Sequence, residues 1–260
     1  MKNNHTKDQT IQPASLRKLN LVMGTLHALQ GIIMLSLATG FKLPLTVAFL
    51  DFNPTLQKLF LTSKEIAQVP LAWIIVAFLF VSAIAHFSIA TWYRPTYEKD
   101  LALGINKARW WEYTISASIM MVAIAMLVGL YDLASLIMLF SLVSGMNLMG
   151  LVMEVYNRTE KPNWLAYNIG CFLGIIPWLV VAIYFWASAQ YGAGEIPTFV
   201  YYIYGSIFLF FNCFAITMVL QYKKVGKFAD YVFGERSYIW LSLIAKSLLA
   251  WQVFAGTLRP

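Results

Sequence analysis

The chain has 260 residues, of which 60% are hydrophobic and 12% charged. Soluble domains carry about 25% charged residues, so this composition excludes a water-soluble globule and specifies an integral membrane protein. The net charge of +7 does not mark a nucleic-acid binder, because the basic residues are sorted by loop and not gathered in one patch.

Residues 1–15 are polar and lack an apolar core followed by a cleavage site, so they read as a disordered tail. The first apolar segment, 19–40, exceeds the roughly 20 residues that span a bilayer as a helix and can serve as the insertion signal. The connection 41–68 is longer than ordinary loops, which favours local structure or a role. Its Leu43, Leu45, Val47, Phe49 and Phe52 predict a short extended segment over the bundle; a stretch lying on the membrane surface is the other reading. Six more crossing segments follow at 69–93, 110–131, 133–156, 164–189, 199–222 and 238–258. Tyr93, Trp110, Tyr131, Tyr156, Trp164 and Tyr222 mark their ends, as rings at the headgroup level do. Pro177 predicts a local loosening of the fifth segment. Cys171 and Cys213 fall inside the fifth and sixth and read as packing residues. The expected architecture is all-α, one seven-transmembrane-helix bundle over residues 16–260. There is no internal repeat, Gly-rich phosphate loop or zinc-ligand spacing, and no enzymatic role is expected.

Fourteen of the nineteen Lys and Arg residues fall on one face: the tail before the first segment and the 2–3, 4–5 and 6–7 connections. Four fall on the other, namely Lys42, Lys58, Lys64 and Arg259. By the positive-inside rule the N-terminus is expected in the cytoplasm and the C-terminus outside.

The remaining amine, Lys246, is the only charge between Tyr238 and Leu258. By the helical rise it lies about 12 Å past Tyr238, too deep for its stem to reach the interface easily. His27 lies about 14 Å past Lys18, and His86 about 10 Å short of Tyr93, by the same rise. Glu112 occupies the first membrane turns of the third segment, so four ionisable groups share one half of the bundle, the cytoplasmic one. Asn106, Arg109 and Ser242 lie toward the same side, Ser242 one turn from Lys246. Other readings stay open: Glu112 paired locally with Arg109, the histidines as satisfied buried imidazoles, or two histidines and a glutamate around zinc. Burial favours the neutral amine, which condenses with aldehydes to a Schiff base. A protonated imine then needs a buried anion. Glu112 is the main candidate; Glu154, in the last turn of the fourth segment, is positioned to meet the interface.

A lysine in the middle of a seventh helix resembles the microbial-rhodopsin architecture. The stretches GERSYIWLSLIAKSLLAWQVFAGTLRP, RWWEYTISASIM, GIIPW and FFNCFA, with the histidines of TLHALQ and AHFSIA, resemble one branch of it, the heliorhodopsins, over residues 16–260. That resemblance implies all-trans retinal on Lys246 as a protonated Schiff base, with Glu112 as counterion. It implies a watered cavity formed by His27, His86, Asn106, Arg109, Tyr113 and Ser242, which receives the Schiff-base proton without passing it across the membrane. It also implies a slow photocycle and a homodimer. Light-driven pumps instead carry an acid four residues before the lysine, where Ser242 stands, and another eleven after the counterion, where Ala123 stands. Met146, Trp178, Tyr184, Phe210, Phe211 and Trp251 are the expected apolar lining of the chromophore pocket. Asn147 interrupts that lining on the fourth segment, and would tune absorption if it points inward. A light sensor read by a cytoplasmic partner is the leading expectation. Light-driven or light-gated proton transport, or light-dependent regulation of a bound enzyme or transporter, are the alternatives.

Overall fold

The structure, a computed structural model, describes residues 13–157, 161–192 and 194–259. The expected tail therefore lies outside the described residues as far as position 12, with Lys2 and Lys7, and so does Arg158. Residues 13–15 belong to the first helix instead, because Pro13 stands at a helix start, where its missing N–H costs nothing.

The elements run α1 (Pro13–Leu37), β1 (Lys42–Asn53), β2 (Lys58–Pro70), α2 (Leu71–Ala90), α3 (Arg94–Ala102), α4 (Lys107–Leu127), α5 (Leu133–Tyr156), α6 (Leu165–Tyr191), α7 (Thr198–Tyr222) and α8 (Tyr231–Val253). A wider helical turn, Phe254–Leu258, extends α8. All the α-helices but α3 are long and apolar enough to cross a membrane. Neighbours in sequence pack as neighbours in space, α1 on α2, α4 on α5, α5 on α6 and α7 on α8, with α8 returning to α1. Helix α6 meets α7 through aromatic rings, Trp178 against Tyr204, Phe208 and Phe211 at 5.2–5.7 Å and Phe185 against Tyr201 at 4.7 Å. Helix α4 is the most buried of the seven. Exposed Ile32, Trp73, Phe172 and Ile183 show the converse pattern of a bundle whose outer surface is apolar.

Three departures from the sequence reading have physical causes. Helix α8 starts at Tyr231, well before the expected 238, because Glu235 inside that stretch is buried and paired instead of solvated. The 2–3 connection contains α3, a polar helix that buries Tyr97, Asp100 and Leu101. The expected loosening at Pro177 does not interrupt α6, which runs unbroken through it.

The 41–68 connection is a two-stranded antiparallel hairpin, registered from Lys42 against Pro70 to Asn53 against Lys58 with a bulge at Leu45/Thr46. Asn53 Oδ1 accepts from the backbone of Thr55 (2.9 Å) and Leu56 (3.0 Å), making the turn. The second strand, KLFLTSKEIAQVP, has no clean alternation and escaped the sequence reading. The hairpin is tied to the bundle by Thr46 N–H donating to Tyr131 O (2.9 Å) and by Asp132. That carboxylate caps α5 through Ser135 N (2.9 Å) and Ser135 Oγ (2.8 Å), and also accepts from Ala48 N at 3.3 Å.

These donors hold the Asp132 carboxyl below its usual range. A depressed folded-state value adds stability above the unfolded value, about pH 4, and the gain is lost as pH falls through the folded one. Asp132→Ala should therefore destabilise by about 0.5–2 kcal/mol at neutral pH, as loss of a cap does. The gap from wild type should close in acid. Thermal unfolding of both proteins across a pH series checks this, and a gap that persists in strong acid would refute the role.

Candidate functional site

Asn106 starts α4: its Oδ1 accepts from Arg109 N–H (3.0 Å), a side-chain cap. That fixed start sets Arg109, Glu112, Tyr113 and Ser116 on the inner face of α4, each one buried. Lys246 comes from the middle of α8, with Ser242 one turn before it.

Lys246 Nζ donates to Glu112 Oε1 at 2.8 Å and to Ser242 Oγ at 2.7 Å. Ser82 Oγ on α2 donates to the same carboxylate oxygen at 2.7 Å. The Tyr113 ring lies 5.1 Å from the amine, within cation–π reach. Lys246 and Glu112 are 3% and 9% exposed, so the pair is out of water and each charge depends on the other. The alternative pairing of Glu112 with Arg109 does not occur.

His27 and His86 stack face to face, ring centroids 5.7 Å apart. Asn20 Nδ2 donates to Leu16 O (2.9 Å), which leaves Asn20 Oδ1 to accept from His86 Nδ1 (2.7 Å). That assigns the proton of a neutral His86 to Nδ1 and leaves Nε2 as its basic nitrogen. His86, Asn106, Arg109, Glu112, Tyr113 and Ser242 all border one cavity of about 30 Å³, enough for water. His27 does not border it; fully buried, it reaches the group only through the ring stack.

Beyond this cavity lies a triad that the sequence reading missed. Arg109 Nη2 donates to Glu154 Oε1 and Nη1 to Glu235 Oε2, all three side chains being buried. Glu154 Oε2 also accepts from Asn106 N (3.0 Å) and Trp110 Nε1 (2.7 Å), and Glu235 Oε1 from Asn106 Nδ2 (2.6 Å) and Tyr97 Oη (3.2 Å). Glu154 thus does not sit free at the interface: Arg109, Asn106 N and Trp110 Nε1 draw it inward. Gly150 allows this, since a Cβ there would meet the Trp110 ring at 2.3 Å. Arg109 and Glu235 border the inner cavity, while Glu154 borders an outer one of about 260 Å³ with Tyr222, Lys224 and Tyr231. The triad stands between the two. One sequence signal for Glu235 existed: eleven residues before Lys246, it is three helical turns away on the same face.

On the other side of Lys246 an apolar cavity of about 50 Å³ runs along Ala117, Met120, Met146, Ile207, Phe211 and Phe214. It shares Met146, Asn147, Phe211 and Phe214 with a second cavity of about 90 Å³ that continues between α5, α6 and α7 past Gly170 and Cys171. Of the six expected lining residues, Met146 and Phe211 line this slot. Trp178 is buried behind Phe211, at 5.6 Å. Phe210 is partly buried and does not line it. Tyr184 is 36% exposed on the outer surface. Trp251 turns toward α1, where its Nε1 donates to Gln30 Oε1 (3.0 Å). Helices α6 and α7, which carry Trp178, Tyr184 and Phe210, are apolar all round, so their sequence carries no signal for facing. A buried amine at the head of an elongated apolar slot fits an apolar aldehyde, and the adjacent carboxylate fits the charge its imine would carry.

No curated protein matches the chain. In architecture it is similar to a light-driven proton pump from Leptosphaeria maculans, with a TM-score of 0.64 at 16% identity, over 93% of this chain and 95% of that one. At that identity the likeness shows the seven-helix rhodopsin fold alone. The heliorhodopsin family model matches residues 16–258, nearly the whole chain. With the buried lysine, its carboxylate and the apolar slot in place, the chain belongs to the heliorhodopsins, multi-pass membrane proteins that bind retinal and respond to light.

Proposed function

We propose that the protein is a light sensor in which Lys246 holds all-trans retinal as a protonated imine and Glu112 is its counterion. The observation that carries this reading is the 2.8 Å Lys246–Glu112 pair, sealed from water at the head of the apolar slot. Retinal, when bound, supplies absorption of visible light and isomerisation about one double bond, to the 13-cis form. The chain supplies the rest. Ser82 and Ser242 fix the distance and direction of the charge pair. Met146, Phe211 and Phe214 enclose the apolar length of the ligand, with room for its far end in the second cavity. A proton released at Lys246 Nζ meets Glu112 Oε1 first, then the cavity bordered by His86 and its free Nε2. The Arg109 triad closes that cavity, which supports retention of the proton inside the protein.

The basic face carries the N-terminus, and we assign it to the cytoplasm, the C-terminus to the outside and the reader of the signal to a cytoplasmic partner. The homodimer implied by the family belongs to the same proposal. Polar groups around Lys246 lie on that side. In the other direction α4 has no carboxylate after Glu112, so a relay to the hairpin side lacks stations. Proton transport is the second reading, favoured by the outer cavity that reaches Glu154.

Purified protein given all-trans retinal should develop a visible band; a colourless protein would sink the reading. In Glu112→Gln the band should move to the red, because loss of the nearest anion destabilises the ground-state charge most. A growing share of unprotonated, near-ultraviolet pigment should accompany it. An unmoved band would remove Glu112 from the counterion role. Illuminated cells should leave external pH unchanged; a protonophore-sensitive change would establish transport instead.

A further inference from the structure

We propose that Asn147 sets the colour of the pigment, as a fixed carbonyl dipole beyond Lys246 along the slot, where its two cavities meet. The inference rests on the proposed attachment of retinal to Lys246.

Asn147 is 5% exposed on a helix whose inward face is otherwise mainly apolar. It borders both cavities of the slot, whereas Lys246 borders only the first, so the amide stands where the two cavities meet, on the way from the amine to the second. Its Nδ2 donates to Val143 O of its own helix at 2.9 Å. That bond pins the amide plane and occupies its donor side. The Oδ1 is left on the side of the amide away from that bond, beside the two cavities that Asn147 borders.

The physical effect follows from where charge sits before and after absorption. In the dark the positive charge of a protonated imine is concentrated near Lys246 Nζ, opposite Glu112. Excitation of a conjugated cation moves positive charge along the chain, away from the nitrogen. Glu112 therefore stabilises the ground state more than the excited state and widens the gap. The Asn147 oxygen, further along the slot, acts in the opposite sense: its negative end meets the charge that arrives. Low local dielectric strengthens that interaction, and the Val143 bond means that no reorientation is needed.

Absorption spectra of retinal-loaded variants test it. Asn147→Leu, close in size and lacking the carbonyl, should absorb at shorter wavelength than wild type. Asn212→Leu is the control: Asn212 makes the same bond to its own helix, Nδ2 to Phe208 O at 2.8 Å, but is exposed on the outside of α7, so its loss should leave the band in place. Should Asn147→Leu fail to fold, Asn147→Met keeps an unbranched apolar chain there and carries the same expectation. A variant that forms pigment at the wild-type wavelength, or to the red of it, overturns the tuning role, whatever happens to its melting temperature. Failure of the underlying reading looks different: wild type itself would remain colourless.

Discussion

Lys246→Ala is expected to abolish the visible band completely, because no other buried amine among the described residues faces the slot. The single substitution has a second effect. It strands the Glu112 carboxylate at 9% exposure with Ser82 as its remaining strong donor. Removing one partner of a buried pair costs about 3–5 kcal/mol, so a colourless protein could merely be an unfolded one. The double variant Lys246→Ala with Glu112→Gln separates these outcomes. It removes both charges, should recover most of the lost stability in thermal unfolding, and should remain colourless. A visible band in either variant would take the chromophore off Lys246.

Arg109→Ala should be the most destabilising change on the basic side of the bundle, again by about 3–5 kcal/mol. It leaves Glu154 and Glu235 buried together without their cation. Arg109→Lys should not rescue it, because one ammonium cannot serve two carboxylates through a planar fork. Glu154→Gln should be milder, since Arg109 and Glu235 remain a neutral pair. Thermal bleaching of the pigment, followed beside helix content, reads all three. An Arg109→Ala protein that melts within about 0.5 kcal/mol of wild type, the range of an ordinary surface change, would show that the triad holds nothing.

The seven crossings were legible because a long apolar run is a local property of the sequence. The shared depth of Lys246, Glu112 and His86 was legible too, since a constant rise per residue turns spacing into height. Facing was not. Tyr184 and Phe210 sit on helices that are apolar on every side, so nothing local separates slot from lipid. Glu154 and Glu235 were hidden for another reason: a charge near a helix end looks solvated until its partner from another helix is seen. The partner here, Arg109, was itself read as a neighbour of Glu112. The strand β2 was missed because a hairpin standing off the bundle has no buried face to impose alternation.

The two ion pairs that join α4 to α8 have a mechanical consequence. Glu112 and Arg109 are three residues apart on α4, and their partners Lys246 and Glu235 eleven apart on α8, about 16 Å along its axis. The helices are thus pinned at two heights. Neutralising the Lys246–Glu112 pin leaves the Glu235–Arg109 pin as the ion pair joining the two helices and the pivot for a swing of α8, like an oar in a rowlock. The blade is the length that reaches the link between α1 and β1, where Thr39 N–H donates to Leu258 O. The handle is the short stub beyond Glu235, joined to the basic 223–230 connection. A small displacement at Lys246 is expected to be scaled down and reversed at that stub, on the face that carries the basic connections.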